Sequence, residues 1–260
     1  MKLIYIAIPV LLILLALGIY VLVKDSSNKN NELPIPSETT STTDEVDEDE
    51  KALVASLWSE NSTINSDYVG TITFESNLIN LPFVQGKDNN TYYRTNWKTM
   101  EHDEEGSIFM DSSNALSDQN FILIGHYVYA SYEASGTHMF TPLVKLIDEE
   151  NYEANKYVKL YLENEVRRYE IAFVYYCQLI EEDLNGETFF YTDDGYEFYY
   201  PNYTDEQFAT YLSTIKANSF YDTGVEISYS DKLLTLQTCV ENHEELREIV
   251  VLKEIDRTTY

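Results

Sequence analysis

Residues 3–23 carry no formal charge and are almost all Leu, Ile, Val and Ala, bracketed by Lys2 and Lys24. A helix needs about 20 apolar residues to cross roughly 30 Å of hydrocarbon. A core helix would show a polar stripe, and this run has none. A cleaved signal has a shorter apolar region, roughly 7–15 residues, ending in a small-x-small site. No such site precedes Lys24, and no cysteine follows to carry a lipid. Residues 1–24 therefore read as an uncleaved signal-anchor that leaves the rest of the chain to fold alone. Lys2 and the amino terminus are positive, whereas Lys24 adjoins Asp25 and an acidic stretch. The positive-inside tendency places the amino terminus in the cytoplasm and the remainder outside a cell membrane crossed once.

Residues 25–50 are rich in Ser, Thr, Asn, Asp and Glu and nearly devoid of apolar side chains. Such a stretch cannot offset its ordering entropy by burial, so it reads as a flexible acidic linker. A domain is expected over residues 51–260, led in by an amphipathic helix over residues 45–58. The chain holds 17 lysines and arginines against 45 aspartates and glutamates, a formal charge of −28. That balance excludes nucleic acid as a partner, since phosphate binding needs a basic surface. Two cysteines in 260 residues exclude a disulfide framework. Acidic clusters such as Glu181-Glu182-Asp183 lack the spacing of a calcium loop, and neither metal nor cofactor is expected.

From Tyr68 onward, short alternating segments are separated by Gly, Asn and Asp clusters. Strands are expected at 68–74, 78–84, 107–110, 121–124, 169–179, 189–191, 233–239 and 248–255. Thr141 with Pro142 opens a helix to about residue 149, and Thr204–Gln207 forms a capping box for another. A further helix is expected around residues 152–164. Mostly β structure with inserted helices points to a closed barrel or a sandwich.

Cys239 ends the run Thr235-Leu236-Gln237-Thr238-Cys239, and Arg247 begins the next apolar strand. In an antiparallel hairpin the two would oppose one another, with Cβ atoms about 4.5–5.5 Å apart. A permanently charged guanidinium there favours a thiolate and can stabilise an oxyanion. His126 follows the strand 121–124 and Gly125, at a position where it could serve a shared cleft as acid or base. Alone, each residue has a plainer reading: a buried small hydrophobe, a surface ion pair, a structural histidine. Cys177 lies in a strand interior and reads as core. A Cys177–Cys239 disulfide is chemically available outside the cell, but it would block the nucleophile, so it is expected to be absent or regulatory. His138 is a rival for the acid–base role; His102 and His243 sit in acidic loops and read as solvated.

Thr235-Leu236-Gln237-Thr238-Cys239 resembles the TLxTC signature of sortases, the cysteine transpeptidases of Gram-positive cell surfaces. Arg247 and Gly125-His126 fall where that family has its arginine and its Gly-His. Asp67-Tyr68-Val69-Gly70, the stretch from Leu81 to Asn89, Tyr92-Tyr93, Gly106-Ser107-Ile108-Phe109-Met110-Asp111 and Met139-Phe140 are similar to class B. The insertion over residues 180–232 is similar too. The resemblance implies an eight-stranded sortase-type β-barrel behind an N-terminal transmembrane helix. It also implies catalysis by His126, Cys239 and Arg247, with Thr238, Tyr199, Tyr200 and Tyr203 as candidates to contact substrate. The implied substrates are secreted proteins with a C-terminal sorting motif of the NPxTx or (S/N)PxTG type. They would pass through a thioester to the amine of a lipid II-like peptidoglycan precursor. The alternatives are polymerisation onto a pilin lysine, or a catalytically inactive assembly factor. A papain-like enzyme is disfavoured, because there the cysteine precedes the histidine. The family usually has Asn after the histidine; here Tyr127 stands.

Overall fold

The structure, a computed structural model, describes residues 47–128, 138–178, 180–184, 187–191 and 200–260. The expected anchor, most of the linker and Tyr199 lie outside the described residues. Among the described residues no helix is long and apolar enough to cross a membrane. The compact unit runs Val46–Tyr260.

Helix α1 (Glu48–Ile64) opens it, with Asp47 as N-cap accepting from the Asp49 and Glu50 amides. Glu50 fastens this helix to the barrel. It pairs with Lys159 at 3.2 Å and with Arg168, and it accepts from the Tyr260 hydroxyl at 2.7 Å. Burial pushes its carboxyl up, but the Tyr260 and Lys159 hydrogen bonds and the Arg168 charge outweigh that and hold it below the ordinary value.

The strands are β1 (Tyr68–Phe74), β2 (Asn80–Val84), β3 (Ile108–Met110), β4 (Asn120–Ile124), β5 (Tyr157–Tyr161), β6 (Glu165–Gln178), β7 (Ile180–Leu184), β8 (Glu187–Tyr191), β9 (Leu233–Val240) and β10 (His243–Thr259). Eight of them close a barrel in the order β1-β2-β3-β4-β9-β10-β6-β5, while β7 and β8 form a separate two-stranded sheet. Alternation sorts the side chains. Phe121, Leu123, Leu234, Leu236, Val250, Leu252 and Val174 fill the interior, packed with Ile72, Phe74, Phe83 and Phe140. Their sequence neighbours face outward.

Two helical expectations need correction. Residues 152–164 hold only a turn, α2 (Tyr152–Asn155), followed by strand β5. Val158 and Leu160 alternate inward and pair with β1, and this strand closes the barrel. The segment opened by Pro142 is a tighter 3-10 helix, Thr141–Ile147.

Two packings cover the outer face of the barrel. Helix α3 (Asp205–Asn218) lays Phe208, Tyr211 and Ile215 on Phe173, Tyr175, Cys177, Ile249, Val251 and Leu233. The expected capping box at Thr204 starts it. On the other flank Tyr92, Val84 and Phe109 pack with Trp97 and Ile124.

Candidate active site

The site is assembled by register. β9 and β10 are antiparallel and place Arg247 directly opposite Cys239. β4 and β9 are parallel, with Ile124 opposite Gln237 and the Gly125 amide donating to the Gln237 carbonyl at 3.1 Å. Continuing that register past the end of β4 brings His126 level with Cys239. Gln237 and Ile249 face outward, so Cys239 and Arg247 lie on the outer face of adjacent strands, and His126, at the exit of the third, completes a row beside them, close enough for the Arg247 charge to act on its imidazole. The row lies between the Tyr92–Trp97 packing and the α3 packing.

His126 is held at the neck of a loop. The Phe140 amide donates to its carbonyl at 3.0 Å, Tyr127 bridges Met139, and the Val128 amide donates to Thr141 Oγ1 at 2.8 Å. Gly125 is required here, because a Cβ would stand 2.8 Å from the Phe140 ring. The Tyr93 ring lies 4.4 Å from the imidazole, centroid to centroid, and its carbonyl oxygen lies 2.6 Å from Nε2. A carbonyl only accepts, so Nε2 carries the proton and Nδ1 is the nitrogen free to exchange one. Burial pushes the imidazole below its ordinary value. The Arg94 and Arg247 charges add to that, against the Tyr93 hydrogen bond and Glu104. In neutral solution His126 is therefore a neutral base.

Cys239 is half-buried and unoxidised. Arg247, also half-buried, donates from one terminal nitrogen to the Leu246 carbonyl at 2.8 Å. β10 is irregular just before it: the register jumps between His243 and Arg247. A tight turn at Glu241-Asn242 joins the two strands, with Asn242 at φ 61°. Cys177 is buried on β6 opposite Arg247. It stands two strands from Cys239, roughly 10 Å, beyond the ~7 Å Cα separation a disulfide tolerates. A direct bond between the two thiols would require the sheet to open.

The remaining sequence candidates separate. Thr238 lies on the inner face opposite Glu248, its side chain 1% exposed. Tyr203 is buried against Tyr211 at 4.8 Å, with Tyr200 at 5.7 Å, and both rings serve to dock the insertion on the barrel. His138 is exposed and pairs with Glu105. His102, exposed beside Glu104, and exposed His243 agree with the solvated reading. Sequence reasoning missed three contributors. The Tyr93 carbonyl gives no side-chain signal. Gly106, at φ 59°, sits where a Cβ would meet that carbonyl at 2.3 Å. Glu241 accepts from the Tyr127 hydroxyl at 3.2 Å and ties the histidine loop to the cysteine turn.

A thiol, an imidazole with a free nitrogen and a fixed guanidinium in one row can attack a carbonyl, move a proton and stabilise an oxyanion. No family model matches the chain. It is similar to Sortase B of Staphylococcus aureus, 29% identical over 195 residues, 74% of this chain and 71% of that one. It is also similar to Sortase B of Listeria monocytogenes, 31% identical over 183 residues, 68% and 64% of the two chains. Among solved structures, Clostridium perfringens sortase B is 30% identical with a TM-score of 0.60, over 76% of this chain and 99% of that one. A Staphylococcus aureus sortase B–substrate complex is 25% identical with a TM-score of 0.61, over 80% and 94%.

Proposed function

Since the chain belongs to the class B sortases, cysteine transpeptidases by family, we propose that it cleaves a C-terminal sorting motif of secreted proteins. The motif is of the NPxTx or (S/N)PxTG type, and the acyl group passes to an amine of a peptidoglycan precursor. The row His126–Cys239–Arg247 carries this reading.

Nδ1 of neutral His126 takes the Cys239 thiol proton, the resulting thiolate attacks the threonyl carbonyl, and Arg247 stabilises the oxyanion that develops. The C–N bond breaks as Nδ1 of protonated His126 gives its proton to the departing amine, leaving a thioester. The incoming amine attacks this thioester and loses a proton to Nδ1. The new C–N bond forms, the C–S bond breaks and the thiolate returns. The row's position between two outer packings suits an extended peptide lying along the barrel. The uncharged run over residues 3–23 supports a single-pass anchor with the catalytic unit outside the cell.

The full chain in detergent, given peptides of both motif types and an amine acceptor, should yield a threonyl–amine product and a peptide-sized mass increment on Cys239. Cleavage of none of the peptides would refute the reading. Transfer confined to a pilin-type lysine acceptor would assign the chain to pilus assembly instead.

A further inference from the structure

Directly behind the catalytic row, on the inner face of the same hairpin, Thr238 and Glu248 oppose one another. Each is 1% exposed. Neither Thr238 Oγ1 nor Glu248 Oε1 has a hydrogen-bond partner among the described residues. Each is also the chain neighbour of a catalytic residue, Thr238 of Cys239 and Glu248 of Arg247. Unpartnered buried oxygens are rare in native proteins, and a pair of them beneath a nucleophile and its oxyanion donor is a structural tension at the point where precision matters.

Among the described residues, the surroundings of Glu248 contain no cation to meet a carboxylate. Across β6 it faces Tyr176, and Tyr221 lies on the segment that covers this end of the barrel. Both phenols are pushed up, chiefly by burial and in part by this carboxyl. Arg247 belongs to the opposite face of its strand. The 3-10 segment packed at this end carries Lys145, and Asp148 and Glu149 follow it, all three exposed. Burial alone pushes the Glu248 carboxyl up to about 8. An anion at this position would have to reach water. The nearest weak point is the irregularity of β10 between His243 and Arg247, since Arg247–Cys239 is the first regular pair after it. Opening there would displace both catalytic side chains.

We propose that Glu248 is a positioning residue: as an uncharged acid inside the barrel it keeps Cys239 and Arg247 in register, and its ionisation ends activity on the alkaline side. This rests on the transpeptidase reading for its kinetic consequence but not for its thermodynamic one. A proton held in the folded state and lost in the unfolded state stabilises most below the ordinary carboxyl value of about 4.5. That contribution is lost as pH rises towards about 8, and is gone above it.

The test compares the full-length chain with Glu248→Gln and Glu248→Met, the latter filling the space without an ionisable group should the amide fail to fold. Transfer to a sorting-motif peptide is followed from pH 6 to 9.5, each protein normalised to its own value at pH 7. At pH 9 the wild type should have lost about tenfold more than either variant, because one carboxyl in roughly ten remains neutral one unit above 8. Melting temperature should fall between pH 4.5 and 8 more steeply in the wild type than in the variants. Superimposable alkaline limbs and parallel melting curves would overturn the proposal. A chain that melts as described yet transfers no peptide at any pH would refute the transpeptidase reading and leave the buried acid standing.

Discussion

Two packings cover the outer face of the barrel, and they hold the two halves of the His126–Cys239–Arg247 row by different means. On the α3 side, Tyr203, Phe208 and Tyr211 stack in an aromatic cluster over the strands that carry Cys239 and Arg247. On the other side His126 is held by a backbone carbonyl, a ring contact and a glycine-dependent turn. Aromatic burial is non-directional and tolerant. A hydrogen bond to a carbonyl fixes which imidazole nitrogen is free, and small displacements cost it. Stability and catalytic geometry are therefore separable across the row.

The largest expected effect is at the nucleophile: Cys239→Ala should abolish cleavage and transfer in a peptide assay. Arg247→Lys keeps the charge but loses the planar fork, and should reduce kcat by about 10²–10³. Gly106→Ala tests the histidine side. By pushing on the Tyr93 carbonyl it should lower kcat by about 10–10²-fold, read in the same assay. Phe208→Ala tests the other side. It should cost about 3–5 kcal/mol in denaturant unfolding while turnover per folded molecule is largely retained. If Phe208→Ala crippled turnover and Gly106→Ala did not, the contrast between the two packings would be wrong. The smallest effect concerns protonation. His126 should titrate below its ordinary value of 6.5 in an NMR titration, and Arg94→Gln should move it upward by removing a neighbouring charge. The sign follows: an imidazole that resists protonation when folded costs stability as pH falls through 6.5, because the unfolded chain takes the proton first.

Much of this arrangement is legible in the residues. Alternation from Leu233 to Cys239 and from Arg247 onward predicts the hairpin, and Thr204 with Gln207 predicts the start of α3. The same alternation, followed by parity, also places Thr238 inward with Leu234 and Leu236, and Glu248 inward with Val250 and Leu252. Naming Thr238 as a substrate contact followed the motif rather than the parity. β5 was hidden because Glu153 to Asn155 favours a helical turn, while its strand partner β1 lies far away in sequence. The Tyr93 carbonyl cannot be read from sequence, since any residue supplies one. Tyr127 looked like a departure at the active site; its hydroxyl instead reaches Glu241 across the two loops.

The parallel pairing of β4 with β9 reaches beyond the finished fold. His126 and Cys239 are 113 positions apart, and the strands leading to them join only after β5, β6 and the whole insertion have been threaded between. Contacts of such long range form late, since the chain between them must first be ordered. A chain not yet folded would thus carry an ordinary thiol past everything it meets. Its chemistry is switched on by the last closure of the barrel, which makes the reactivity of Cys239 towards a small electrophile a clock for folding.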